Sequence, residues 1–212
     1  FIKANNLENW NKSIKNLHKK KDALNNHSKS YRRLVFDELC ANYLALSENR
    51  KRIKKDKSPK KFNNIYSNLI IKNLPFKLTV SQKKVLKDIN SDLLSNKKMF
   101  RIIQGDVGSG KTIVSLCAAS NIIESGYQCA LMAPTEILAR QHYESFKKKF
   151  DSVKIPCSLL VGKQKGSERK LILDGLQNGK ISVVVGTHAL IQKKVTFSNL
   201  GLVIIDEQHR FG

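Results

Sequence analysis

One eight-residue loop restricts what this chain can fold into more than any other feature. Gly105-Asp106-Val107-Gly108-Ser109-Gly110-Lys111-Thr112 meets the GxxxxGK[ST] pattern at every fixed position. A short apolar run, residues 99–103, precedes it, and a helix-forming stretch from Lys111 to about Ser125 follows. Strand, glycine-rich bend and helix, in that order, leave few architectures open. The glycines let the backbone curl until its N–H groups point inward, and the helix N-terminus adds partial positive charge. Such a bend cradles nucleotide phosphates. Lys111 is then placed to reach the β- and γ-phosphates of ATP, and the Thr112 hydroxyl to sit on Mg²⁺. An incidental Lys-Thr after a glycine-rich turn would have to reproduce all four fixed positions and both flanks by chance.

The surrounding pattern repeats the strand-helix alternation. Thr79 opens a helix through Leu94, with Val85, Ile89 and Leu93 on one face. Further helices are expected from Lys111 to its stop at Gly126, over residues 135–150 with Thr135 as cap, and over 167–177. Strands are expected at residues 127–133, 157–161, 181–185 and 202–205. The last two are, Ser182 apart, continuous apolar runs rather than alternating ones, the mark of parallel strands covered on both faces. The expected fold is therefore α/β and doubly wound over residues 65–212. Upstream, residues 31–52 read as a helix in which Val35, Leu39, Tyr43 and Leu46 recur at steps of three and four. Residues 51–64 read as a basic, solvated linker, and residues 1–30 as polar and weakly ordered or helical.

A second chemical element closes the last strand. Leu202-Val203-Ile204-Ile205-Asp206-Glu207-Gln208-His209 is an apolar strand ending in two acids. A buried parallel strand cannot carry carboxylates in its middle, but its C-terminal end faces the ligand crevice. Asp206 would hold Mg²⁺ and Glu207 would orient the attacking water. Alone, the pair could equally be a surface acidic turn; the phosphate loop upstream favours the catalytic reading.

Other positions keep two readings. The Gln82 amide suits the edge of adenine, with Phe76 against the base, yet Thr79-x-x-Gln82 is also a capping box. Pro134 and Thr135 follow one strand, and Gly186, Thr187 and His188 follow another, each opening a helix. Backbone N–H groups there could hold a nucleic-acid backbone, or could be ordinary strand-to-helix turns. Gly162-Lys163, Lys165-Gly166 and Arg169 form a basic loop that is either solvated or anion-binding.

Charge bears on the partner. The net charge is +22, and the first 104 residues carry 25 Lys/Arg against 8 Asp/Glu. That excess fits a polyanion such as nucleic acid, or compositional drift in a chain rich in Lys, Asn and Ile. Cys40, Cys117, Cys129 and Cys157 make no CxxC pair and no zinc spacing, which fits a reducing cytoplasm. No apolar run is long enough to span a bilayer, and no signal peptide is visible.

The strings LPFKLTVSQ, QGDVGSGKT, MAPTEILARQHY, VVGTHALIQ and VIIDEQHRFG together resemble the RecG family of superfamily 2 DNA translocases. The upstream RRLVFDELCANYLAL resembles that family's helix between wedge and motor, so the likeness covers about residues 31–212. Departures lie upstream or at single positions: His18-Lys19-Lys20 lacks a proline, Tyr43 stands for Gln, and Arg140 for an acid. The resemblance implies a RecA-like P-loop NTPase lobe with a mostly parallel sheet, preceded by a helical N-terminal segment. It implies ATP and Mg²⁺ as cofactors, and branched double-stranded and single-stranded DNA as partners of a monomer. Gly105 to Thr112 would bind the nucleotide, with Gln82 and Phe76 on adenine and Lys111, Asp206 and Glu207 in catalysis. Thr112 and Asp206 would hold the metal, and Pro134, Thr135, Gly186, Thr187 and His188 would contact DNA. The family's second motor lobe, arginine fingers and wedge would lie outside this chain, which implies weak ATP binding and very slow hydrolysis alone. A transcription-repair coupling translocase, or a non-catalytic nucleic-acid-binding relic, is the alternative.

Overall fold

The computed structural model describes residues 7–19, 28–53, 56–164 and 166–211. Lys20, Lys165 and Gly212 lie outside these residues, as do 1–6 and 20–27 of the segment expected to be weakly ordered or helical. The chain divides into two compact units, Phe1–Lys55 and Asp56–Gly212.

The first unit holds α1 (Trp10–Leu17) and α2 (Lys29–Ile53). Asn9 caps α1, its side chain accepting from the Lys12 N–H. The Glu8 carboxylate binds the two helices together, accepting from Ser30 Oγ at 2.6 Å and Ser13 Oγ at 3.1 Å. The Ser30 hydroxyl in particular holds the Glu8 carboxyl below its ordinary pKa. The apolar stripe of α2 is not buried as its spacing suggested: Leu39, Tyr43 and Leu46 are 57–70% exposed. Among the described residues of this unit, the eight-residue α1 packs on the 25-residue α2 and is too short to cover that stripe.

The second unit runs α3 (Ile65–Lys72), α4 (Val80–Leu94), α5 (Lys111–Glu124), β1 (Gln128–Met132), α6 (Glu136–Asp151), β2 (Cys157–Leu160), α7 (Gly166–Gln177), β3 (Val183–Gly186) and β4 (Leu200–Ile205). Its four strands are all parallel, in the order β2-β3-β1-β4. Because side chains alternate along a strand, each strand feeds two cores. Cys129, Leu131, Val183 and Val185 pack with Val114, Phe146 and Phe150 beneath α3 to α6. Ala130, Val184 and Leu160 pack with Ile172 and Leu176 of α7 on the other face. Phe146 and Phe150 meet edge to face, 5.5 Å between centroids. The sheet is thus doubly wound, as its apolar runs required.

Four expectations need correction. Residues 99–103 form no strand, and Phe100 and Ile102 are 79% and 82% exposed. A strand exists only with a neighbour about 4.8 Å away, and a cleft separates this run from β4. For the same reason β4 is not covered throughout: its outer edge is unpaired among the described residues, and Val203 is 52% exposed. His188 opens not a helix but a single 3-10 turn, His188–Ile191.

The basic segment before residue 65 is also more than a linker. Its residues 56–64 belong to the second unit, so the boundary falls at 55/56 rather than 64/65. Lys57 Nζ donates to the carbonyls of Asp92 (3.2 Å) and Leu93 (2.7 Å), where orphan acceptors end α4. Lys60 stacks 3.2 Å above the Tyr127 ring. Asn64, at φ 59, precedes the unforeseen α3; the N–H groups of Asn63 and of Ile65, the first residue of the helix, donate to the Glu124 carboxylate.

A triad of asparagines ties these helices. The buried Asn121 Nδ2 donates to Asn64 Oδ1 and Asn90 Oδ1, both at 2.9 Å. Asn121→Leu would take the donor from the half-buried Asn90 acceptor. We expect a loss of about 1–3 kcal/mol, read as a lowered urea midpoint with an unchanged slope.

Candidate active site

The glycine-rich bend leads into the start of α5, and the acidic pair and the turns after β1 and β3 lie on the C-terminal rim of the parallel sheet. Gly108 and Gly110 both adopt φ +81, so the bend depends on residues without a Cβ. A Cβ on Gly110 would also strike the Gln82 amide. Gly110 precedes α5 without any side-chain cap, which leaves the first amides of the helix to the loop's interior. Lys111 folds back over the bend: its Nζ donates to the carbonyls of Gly105 at 2.6 Å and Asp106 at 2.8 Å. Val107 stands fully exposed at the tip.

The acidic turn lies opposite. The Asp206 N–H donates to the Met132 carbonyl at 2.9 Å, carrying the ladder one residue beyond β4. Glu207 follows at φ 51, in the left-handed region that few non-glycine residues occupy. Gly108, Lys111, Thr112, Asp206 and Glu207 line one cleft of about 570 Å³. That volume falls in the range of ligand pockets. The phosphate bend and the two acids, about 95 residues apart in sequence by the numbering, therefore share one crevice. Among the described residues no cluster of three or more His, Cys, Asp or Glu could hold a metal by itself. The Thr112 hydroxyl and the Asp206 carboxylate on this cleft are instead an oxygen set that would suit magnesium shared with a bound phosphate group.

Sequence reasoning missed one member of this site. His142 of α6 lines the same cleft, its Nε2 lying 2.7 Å from Asp206 Oδ2. The signal was present: Ala139, His142 and Phe146 follow helical spacing, and the first and last are fully buried. A polar residue on a buried stripe has a polar partner.

Gln82 is occupied as the capping box predicted. Its Oε1 accepts from the Thr79 N–H at 2.9 Å while Thr79 Oγ1 accepts from the Gln82 N–H. Its Nε2 also donates to the Ser109 carbonyl at 2.9 Å, which joins α4 to the phosphate bend. Neither Gln82 nor the exposed Phe76 lines the cleft.

The turns after β1 and β3 stand along the same rim, outside the cleft. Thr135 Oγ1 accepts from the Leu138 N–H and caps α6, beside Pro134. Gly186 is buried against the Leu160 carbonyl, where a Cβ would collide; Thr187 is half-buried and His188 exposed. In the basic loop Arg169 is already engaged, donating to the Val161 carbonyl and to Gln192 Oε1. All four cysteines are free thiols. Burial pushes Cys117 up to about 11 and Cys157 to about 12, so these behave as small apolar residues. No helix among the described residues is long and apolar enough to cross a membrane.

The chain has known relatives in sequence and in fold. The DEAD/DEAH box helicase family matches residues 79–212. The ATP-dependent DNA helicase RecG of Aquifex aeolicus is 47% identical over 205 residues, 94% of this chain and 26% of that protein. RecG of Thermotoga maritima is 50% identical over 185 residues, 87% of this chain and 24% of that protein. The chain thus spans about a quarter of the length of these relatives. A structure of RecG bound to a three-way DNA junction superposes with a TM-score of 0.80 at 49% identity, covering 87% of this chain and 25% of that one. A hypothetical ATP-dependent RNA helicase from Sulfolobus tokodaii shares the fold, at a TM-score of 0.53 and 22% identity over 69% of this chain and 42% of that one.

Proposed function

Since the chain belongs to the DEAD/DEAH box helicase family, we propose that it is the ATP-binding lobe of a RecG-type DNA translocase. The substrate is branched DNA, such as replication forks and Holliday junctions, and the setting is recombination and repair in the cytoplasm. The observation that carries this reading is the shared cleft of the phosphate bend and the Asp206–Glu207 turn. Similarity to RecG, one structure of which is bound to a three-way junction, supports DNA as the partner.

In this reading the amides of residues 105–112 and the Lys111 ammonium bind the triphosphate. Lys111 exchanges its two loop carbonyls for phosphate oxygens. Thr112 and Asp206 hold Mg²⁺, which neutralises charge on the phosphates. Glu207 orients and polarises the attacking water. The free lone pair and N–H of the Gln82 amide, with Phe76, read adenine, so nucleotide occupancy is felt at the Ser109 carbonyl. Pro134, Thr135, Gly186, Thr187 and His188 present turn backbone to the DNA phosphates. ATP closes this lobe on a second one, and hydrolysis reopens the pair. The protein works as a monomer.

The test uses the 212-residue chain. It is expected to bind a fluorescent ATP analogue in a Mg²⁺-dependent way and to hydrolyse ATP very slowly. Adding a lobe that supplies an arginine finger should raise the rate by about 10³–10⁵. No detectable nucleotide binding with or without Mg²⁺, alongside salt-sensitive DNA binding, would replace this reading with a non-catalytic nucleic-acid binder.

A further inference from the structure

We infer that His142 is a positioning residue for Asp206, holding the carboxylate in the orientation that binds magnesium. The inference rests on the reading of Asp206 as a metal-holding acid. An ionised carboxylate only accepts hydrogen bonds, so His142 Nε2 is the donor in the 2.7 Å contact to Oδ2. That contact uses one oxygen of the carboxylate and leaves Oδ1 for the metal. The Asp206 backbone is already pinned by its bond to the Met132 carbonyl, so the side-chain torsions are the freedom that remains. His142 removes that freedom from a fixed base. Its side chain is only 16% exposed, and α6 is anchored one turn to either side by the fully buried Ala139 and Phe146.

Donors behind a metal-binding carboxylate fix its direction, and losing one typically weakens metal binding by about 10–100-fold. A histidine that only fills the place of an absent cation behaves in the opposite way. Its removal leaves magnesium affinity unchanged or improves it.

The experiment compares the unaltered chain with His142→Leu, His142→Gln and Asp206→Ala. Leucine keeps the packing and removes the donor, whereas glutamine keeps an N–H. Thermal unfolding of each variant checks the fold. Two quantities are read: the Mg²⁺ concentration giving half-maximal binding of a fluorescent ATP analogue, and Mn²⁺ bound in the presence of nucleotide, by electron paramagnetic resonance. His142→Leu should raise half-saturation by about 10–100-fold, with nucleotide affinity in the absence of metal unchanged. His142→Gln should recover most of the loss.

If Asp206→Ala shifts the metal dependence while both His142 variants match the unaltered chain, the inference fails and the proposed function stands. Equal losses for the Leu and Gln variants would show that packing, not the donor, is responsible, and overturn it as well. If Asp206→Ala changes nothing, the metal role of Asp206 falls, and this inference with it.

Discussion

Lys111→Ala is expected to weaken ATP binding by about 10²–10⁴-fold and to leave the fold in place. The ammonium already makes two short hydrogen bonds, to the carbonyls of Gly105 and Asp106. On phosphate oxygens the same two donors become charge-assisted bonds worth roughly 1.5–3 kcal/mol each. Every ~1.4 kcal/mol is tenfold in affinity. The fold should survive because Gly105 and Asp106 are exposed, and their carbonyls turn to water when the lysine is lost. We expect the unfolding free energy to change by less than about 1 kcal/mol. Calorimetric titration with ATP and Mg²⁺ and a urea melt measure the two quantities. Unchanged affinity would remove the bend around Lys111 from the nucleotide site.

Glu207→Gln separates binding from chemistry. In a polypeptide that carries this lobe with its partner lobe, the variant should hold ATP as before while turnover falls about 10²–10⁴-fold, the usual scale for a general base. Glutamine matches the shape of glutamate and can follow the same backbone at φ 51, so geometry is kept and only proton affinity is lost. Single-turnover hydrolysis and nucleotide affinity, measured on the same preparation, give the two numbers. Persisting hydrolysis would take Glu207 out of the water-activating role.

Much of this was legible in order along the chain, because the signals were local. The glycines of the phosphate bend, the Thr79–Gln82 box and the apolar strands each carry their instruction within a few residues. Contacts made across the fold were not. Nothing beside Lys57 announces that it will cap a helix ending at Leu94, and a run of like charges read alone looks solvated. Asn64 begins α3 in a left-handed conformation without a side-chain cap, so the usual start signal was missing. The run at 99–103 has the composition of a strand but no adjoining strand, and composition does not supply one. Gln82 read as an adenine contact and as a cap; the fold adds a third bond, to Ser109, that neither reading contained. His142 stands 64 positions from Asp206, and only the packing of α6 against the sheet reveals the pair.

The unpaired side of β4 has a practical consequence. It offers a row of main-chain donors and acceptors flanked by Val203 and Ile205, which are about half uncovered. Such a margin is a template on which a second molecule can add its own strand, and concentrated solutions then drift toward aggregates. Val203 and Ile205 also line the cleft that holds Lys111 and Asp206, so a strand added along β4 would stand beside the proposed nucleotide site.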